Sequence, residues 1–333
     1  MQLSKSKKRK CLLFPVIMIQ VAIALYLGIK IYQKQMKVLG TKVYAPIEKE
    51  SIIVNPDSEL QRFYEPAPNT IENVNPWVPY KATYTINSDS LNERFEYSPE
   101  KPDRTFRIIT LGDSYTYGLY VDTENNYSEK LEDKLNDTLS CNNYDQFEVI
   151  NLGVGGYDIQ YASERYKIRG HKYNPDLIIW FIKNGDMVQL NERMLIEEKI
   201  IAAELKKTGE FDKLVKKGNF YPSWSRAMQK VIDTYGRVHL FKTQMNFLEN
   251  FRDTYVNPLL IITFPSTNGE YKRALEELTA SRDNMTFHGN IPDIYNINGA
   301  SFPNDGHPTI LGHTIITDNL FEYLTKEGFI SCE

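Results

Sequence analysis

From Arg104 onward the chain alternates short apolar runs with amphipathic segments, and this alternation narrows the folds open to it more than any other feature. The runs 107–111, 148–152, 177–182 and 259–264, with a weaker one at 285–288, are short and rich in β-branched and aromatic residues, as buried strands are. Helical spacing covers 127–139, 159–170, 271–282 and 310–326. Strands apolar on both faces and separated by helices belong in a parallel sheet covered on both sides, which is an α/β layer fold. An apolar content of 41% and an aromatic content of 12% in 333 residues can fill the core of such a fold.

The alternation is interrupted between the third and fourth runs. Segments 192–207, 224–234 and 237–251 read as amphipathic helices of an insertion spanning 187–257, which either packs on the sheet or caps a substrate cleft. Before the alternation begins, residues 31–103 form a separate stretch. From 38 on it is rich in Pro, Asn and Glu, the composition of an extended stalk or a wrapping arm. Within it, 80–87 alternates enough for a short strand, with 94–97 as its expected hairpin partner.

The first residues carry a different signal. Residues 5–10 hold five positive charges, and 11–29 are nineteen uncharged, mostly apolar residues. As a helix rising 1.5 Å per residue they extend roughly 28 Å, about the thickness of the bilayer hydrocarbon. The run exceeds the apolar core of a cleaved signal peptide, so an uncleaved transmembrane anchor is expected. The basic flank keeps the N-terminus cytoplasmic and puts the rest of the chain on the outer side. Residues 1–37 carry eight Lys or Arg and no acid, so the remainder is more acidic than the overall charge of −4 implies. An acidic main domain argues against a nucleic-acid partner. Cys141 and Cys332 are the two cysteines beyond the anchor; the spacing is compatible with one disulfide and equally with two free thiols.

Chemistry concentrates where runs end. After the first run come Gly112, Asp113 and Ser114, which place a serine at a strand-to-helix turn where helix N–H groups face a developing anion. Gly153, Gly155 and Gly156 follow the second run and allow backbone N–H groups to approach a ligand closely. Asn184 follows the third, and Asp305 and His307 stand just before the last helix. A serine hydroxyl becomes a nucleophile when an imidazole accepts its proton, and a carboxylate holds that imidazole in the useful tautomer. The oxyanion that follows needs donors, here the backbone N–H groups of Ser114 and Gly156 and the amide of Asn184.

Taken in order, Gly112-Asp113-Ser114, Gly156, Asn184 and Asp305-Gly306-His307 resemble the four sequence blocks of the SGNH (GDSL-type) hydrolase superfamily over about residues 104–326. The resemblance implies a flavodoxin-like three-layer α/β/α sandwich with a five-stranded parallel sheet. It assigns Ser114 as nucleophile and first oxyanion donor, Gly156 and Asn184 as further donors, and His307 as the base oriented by Asp305. The third block departs from Gly-x-Asn-Asp: Ile182 takes the place of its glycine and Gly185 that of its aspartate, with Asp186 one step later. The acid lies two residues before the histidine, where many members place it three before. His171, His239, His288 and His313 have no such partners and read as structural.

The function expected from these residues is ester hydrolysis outside the cytoplasmic membrane, on an acylated small molecule or an O-acylated envelope polysaccharide. The same triad could transfer an acetyl group to a sugar hydroxyl, and a non-catalytic carbohydrate-binding module with this fold is the alternative from another class. No cofactor is expected, because the glycines at 153–156 lack dinucleotide-binding spacing. No metal is expected either, since no two histidines or cysteines stand at ligand spacing on one element.

Overall fold

The computed structural model describes residues 52–75 and 77–332. The expected membrane span at 11–29, its basic flank and the beginning of the arm lie outside the described residues. Among the described residues no helix is long and apolar enough to cross a membrane.

Residues 52–103 lie against the α/β layers. Ile52–Val54 (β1) pairs antiparallel with Tyr64–Pro66 (β2), and Thr70–Asn73 (β3) with Thr83–Ile86 (β4). The strand expected over 80–87 thus finds its ladder partner upstream, while downstream the chain returns to it at Asn92 and Glu93, just short of 94–97: Ile86 bridges Asn92, and the Glu93 N–H donates to Thr85 O at 3.0 Å. The turn that follows sets where the chain comes back. The Asn87 side chain accepts from the N–H groups of Asp89 and Leu91 and closes a tight loop. Residues 94–97 are then held by a helix of the sheet domain: the Arg94 N–H donates to Glu129 at 2.6 Å and the Tyr97 hydroxyl to Glu132 at 2.8 Å. Phe63, Tyr84, Ile86 and Leu91 of this region are buried. So is the Glu65 carboxylate, which is paired with Arg165 and Arg169 because a buried charge without a counterion would be too costly.

The main layers follow in order: Thr105–Leu111 (β5), a single turn Ser114–Tyr117 (α1), Tyr127–Thr138 (α2), Gln146–Asn151 (β6), Ile159–Arg165 (α3) and Leu177–Phe181 (β7). Then come the helices of the insertion, Asn191–Lys207 (α4), Glu210–Lys216 (α5), Pro222–Tyr235 (α6) and Arg237–Thr254 (α7). Leu259–Ile262 (β8), Gly269–Ala280 (α8), Met285–His288 (β9) and Ile310–Lys326 (α9) complete the chain. Helix α5 was not anticipated; its seven residues, four of them charged, are too few to show a period.

The five strands form one parallel sheet in the order β6-β5-β7-β8-β9. That is the 2-1-3-4-5 order of doubly wound folds, with its switch point between β5 and β7. Alternate residues divide between two apolar layers. Ile109, Leu111, Ile150, Ile178, Trp180 and Ile261 pack with Tyr161 of α3, Leu240 and Leu248 of α7 and Leu275 of α8. Ile108, Val149, Ile179, Leu260 and Ile262 pack with Leu131 and Leu135 of α2 and with Ile316 and Leu320 of α9. Every residue of β5, β7 and β8 is buried, which is why these strands read as continuous apolar runs. Cys141 and Cys332 are joined in a disulfide across 191 positions of sequence, tying the loop after α2 to the C-terminal end.

Candidate active site

Ser114 begins α1 at the carboxyl end of β5, beside the switch point of the sheet. The chain can turn there because Gly112 has φ +154° and lacks a side chain: a Cβ would collide with Thr116 Oγ1 and come within 3.0 Å of the Phe181 carbonyl. Asp113 caps the turn, accepting from the Tyr115 N–H at 2.9 Å. Its other oxygen lies 2.6 Å from Lys183 Nζ and 3.4 Å from Ser114 Oγ. The Lys183 ammonium also sits 3.6 Å from the centre of the Tyr115 ring. Burial works against the charge on Lys183, yet Asp113 and Asp186 outweigh it and its pKa is raised. Asp186 is itself pushed well up, first by burial and then by Asp113.

Across the turn, His307 Nε2 is 2.7 Å from Ser114 Oγ, although 193 positions separate them in sequence. His307 Nδ1 is bonded to Asp305 Oδ1, and Asp305 Oδ2 accepts from the Tyr120 hydroxyl at 3.1 Å. Burial opposes the charge on Asp305, but the bonds from His307 and Tyr120 more than offset it and its pKa is lowered. An ionised Asp305 needs a proton on Nδ1, which leaves the Nε2 lone pair to accept from the serine. The imidazole is also fixed by rings on two sides, Tyr115 at 4.9 Å and Tyr120 at 5.2 Å between centroids. The Tyr115 hydroxyl donates to the Gly306 carbonyl at 2.8 Å, so the same side chain anchors the loop that carries the histidine.

The loop after β6 is held through its carbonyls. The Tyr64 hydroxyl donates to Gly155 O and Asn191 Nδ2 to Gly156 O, both at 2.7 Å. Gly156 has φ +82°, and a Cβ on it would lie 2.9 Å from the Tyr64 hydroxyl and 3.0 Å from the Trp224 ring. Asp158, which caps α3, accepts from the Asn191 N–H at 2.8 Å and so ties the start of the insertion to this loop. Asn184 is exposed, and its side-chain oxygen accepts from the Asn268 N–H at 2.8 Å. An N–H can only meet the oxygen of an amide, so Nδ2 is the end left to donate elsewhere.

Ser114, His307 and Asp305 therefore form one continuous set of side-chain bonds. Gly156 and Asn184 are held by partners that are not themselves part of that set. Sequence reading missed Tyr120, Tyr115 and Lys183 around the relay, and Tyr64, Asn191 and Asn268 around the loops. Tyrosines in the run 115–120 stand next to the serine, but nothing in their order shows that two of them reach residues near 305. His313 has a structural place: it is buried, its Nδ1 accepts from the Tyr127 N–H at 3.2 Å, and burial lowers its pKa to about 3.

No family model matches this sequence, and no curated protein matches it. Solved structures of esterases are similar to it at low identity. A two-domain esterase active on acetylated mannans shares 16% identity with a TM-score of 0.40, covering 69% of this chain and 51% of its own. The psychrotrophic esterase EstA from Pseudoalteromonas sp. shares 14% with a TM-score of 0.42, over 68% of this chain and 100% of its own. An acetylxylan esterase from Geobacillus stearothermophilus shares 15% with a TM-score of 0.38, over 69% and 97%. The chain thus spans about half the length of the mannan esterase. Scores of this size leave the reading of the site to its own geometry.

Proposed function

We propose that this protein is a serine ester hydrolase whose reaction runs through Ser114, His307 and Asp305. The observation that carries the reading is the unbroken relay from Ser114 Oγ through both ring nitrogens of His307 to Asp305. In the first half-reaction Oγ bonds to the ester carbonyl carbon while its proton passes to His307 Nε2. The imidazolium formed is stabilised by Asp305. Collapse of the tetrahedral intermediate breaks the bond to the alkoxy oxygen, which leaves with the proton from Nε2. Water then repeats the sequence on the acyl-serine, giving up a proton to His307 and releasing the acid. During both steps the negative oxygen is received by the N–H groups of Ser114 and Gly156 and the Nδ2 group of Asn184.

The alcohol side of the ester is proposed to be a polysaccharide of the cell envelope, with the chain anchored through 11–29 and its main domain outside the cytoplasmic membrane. Two features support this placement: the basic flank before the span and the Cys141–Cys332 disulfide, since such bonds persist in oxidising compartments. The test is hydrolysis of a chromogenic short-chain ester by the purified full chain. Turnover that survives in both Ser114→Ala and His307→Ala removes the assignment. Acetyl found added to glycan hydroxyls rather than released would replace hydrolysis with transfer.

A further inference from the structure

The arm and the insertion meet over the loop that carries Gly156, and between them they leave an open groove of about 660 Å³. Its walls are Ile52 and Val54 of β1, Tyr64 of β2, Leu195 and Ile200 of α4 and Trp224 of α6. The size falls within the roughly 300–1,000 Å³ of small-molecule sites. Three of the aliphatic side chains, Ile52, Val54 and Ile200, are 54%, 65% and 48% exposed, although they come from elements far apart in sequence. Aliphatic side chains gathered from two elements around one space mark it as a place for apolar surface.

The groove borders the proposed donor loop. Gly155 lines it, and Tyr64 and Trp224, which also line it, are the two side chains that crowd the Cβ position of Gly156. The pKa of the Tyr64 phenol is raised, first by burial. Its hydroxyl is committed to the Gly155 carbonyl. The groove therefore offers mostly ring and aliphatic surface, with Gln61, Arg62 and Lys199 as its polar side chains, Arg62 already facing Glu192 at 3.7 Å.

We propose that the groove holds the acyl chain of the ester, an aliphatic chain longer than acetyl that runs outward from the carbonyl at Gly156 between β1 and α4. The proposal rests on the ester-hydrolase reading and adds to it the class of acyl group. Gln61, Arg62 and Lys199 supply the polar part of the lining, and the rest is aliphatic and aromatic surface that gains more from a hydrocarbon chain than from a sugar. A hydrocarbon chain asks only to leave water, and each buried methylene then favours the longer ester by about fourfold.

The test is the ratio of kcat/KM for p-nitrophenyl octanoate to that for p-nitrophenyl acetate, measured on the full chain. The expected ratio exceeds ten, and Ile200→Glu and Val54→Glu each lower it about tenfold by putting a carboxylate in the wall. Both positions are exposed, and unchanged thermal melts check that the fold is intact. Calorimetry with octanoate on Ser114→Ala is the second measurement, with binding expected and weakened when Ile200→Glu is added. Acetate preferred over octanoate, or a ratio untouched by both substitutions, overturns the groove while leaving ester hydrolysis standing. Octanoate bound in an Ile200-dependent way, with no ester turned over by the unmodified chain, upholds the apolar-chain site and removes the hydrolase reading. Dimers that Ile200→Glu disperses, with no octanoate bound, would give the groove to a second copy of the chain and overturn the proposal.

Discussion

The two halves of the candidate site are built by different means. On one side, Ser114, His307 and Asp305 meet through side-chain atoms, and the bonds between them form a single line. On the other, the proposed donors are mostly backbone, and their direction is set by groups brought from elsewhere: Tyr64 on Gly155 O, Asn191 on Gly156 O and the Asn268 N–H on the Asn184 side chain. The first half depends on which residues are present. The second depends on how the chain is bent, so the arm and the insertion enter the site without contributing to the relay.

The sharpest way to break this division is to remove the relay. Ser114→Ala and His307→Ala should each lower kcat for a short-chain ester by on the order of 10⁴–10⁶-fold with little change in KM, and the double variant should cost no more than either alone. Losses that add would show that the two residues act separately.

Next in size is Gly156→Ala. A methyl at φ +82°, within 2.9 Å of the Tyr64 hydroxyl and 3.0 Å of Trp224, must shift the loop. Loss of one donor costs roughly 100- to 1000-fold in kcat. Wild-type rates in this variant would remove Gly156 from the donor set. Asn184→Ala should fall lower in the same scale, at about 100-fold, because Asn184 is exposed and water can take over part of its role. A loss below threefold would leave the oxyanion to the two backbone groups.

Tyr120→Phe probes whether the relay side also relies on outside help. The variant removes one hydrogen bond to a charged oxygen, for which about 1.5 kcal/mol, or roughly tenfold in kcat, is the expected cost. The acid limb of the pH profile should move with it, because Asp305 then stabilises the imidazolium differently. A lower kcat with an unmoved profile would reduce Tyr120 to a packing role.

A further expectation concerns the donor side and is read in stability instead of rate. Burial pushes Asp158 up from 3.8 to about 6, against the bonds it accepts from Asn191, Tyr161 and Gln244. A raised carboxyl holds its proton more tightly in the folded chain than in the unfolded one. Its contribution to stability is therefore complete below 3.8 and is lost as pH rises through about 6. A shift of that size corresponds to about 3 kcal/mol at about 1.4 kcal/mol per unit. Thermal melts between pH 4 and 7 should show Tm falling across this window, and Asp158→Asn should flatten the fall. An unchanged slope would mean that another group sets it.

Much of this molecule is written in its order of residues. Periods of two and 3.6 mark strands and helices because side chains that must leave water sit at those intervals, and β5, β7 and β8, buried on both faces, carry the strongest signal. The residues proposed for the relay, Ser114, Asp305 and His307, can be picked out of the sequence too, since proton transfer demands particular side-chain types. What the order does not contain is distance. The return of the chain to β4 at Asn92 and Glu93, and not at 94–97, goes with a turn at Asn87 and with the helix that holds 94–97. Tyr120 reaches Asp305 across 185 positions, and Tyr64 reaches Gly155 across 91. Such contacts arise only when separate elements pack, and local preference along the chain carries no record of them. The sequence by itself determined the layers and the candidate chemistry. The tertiary structure alone decided which groups hold that chemistry in place and what surface lies beside it.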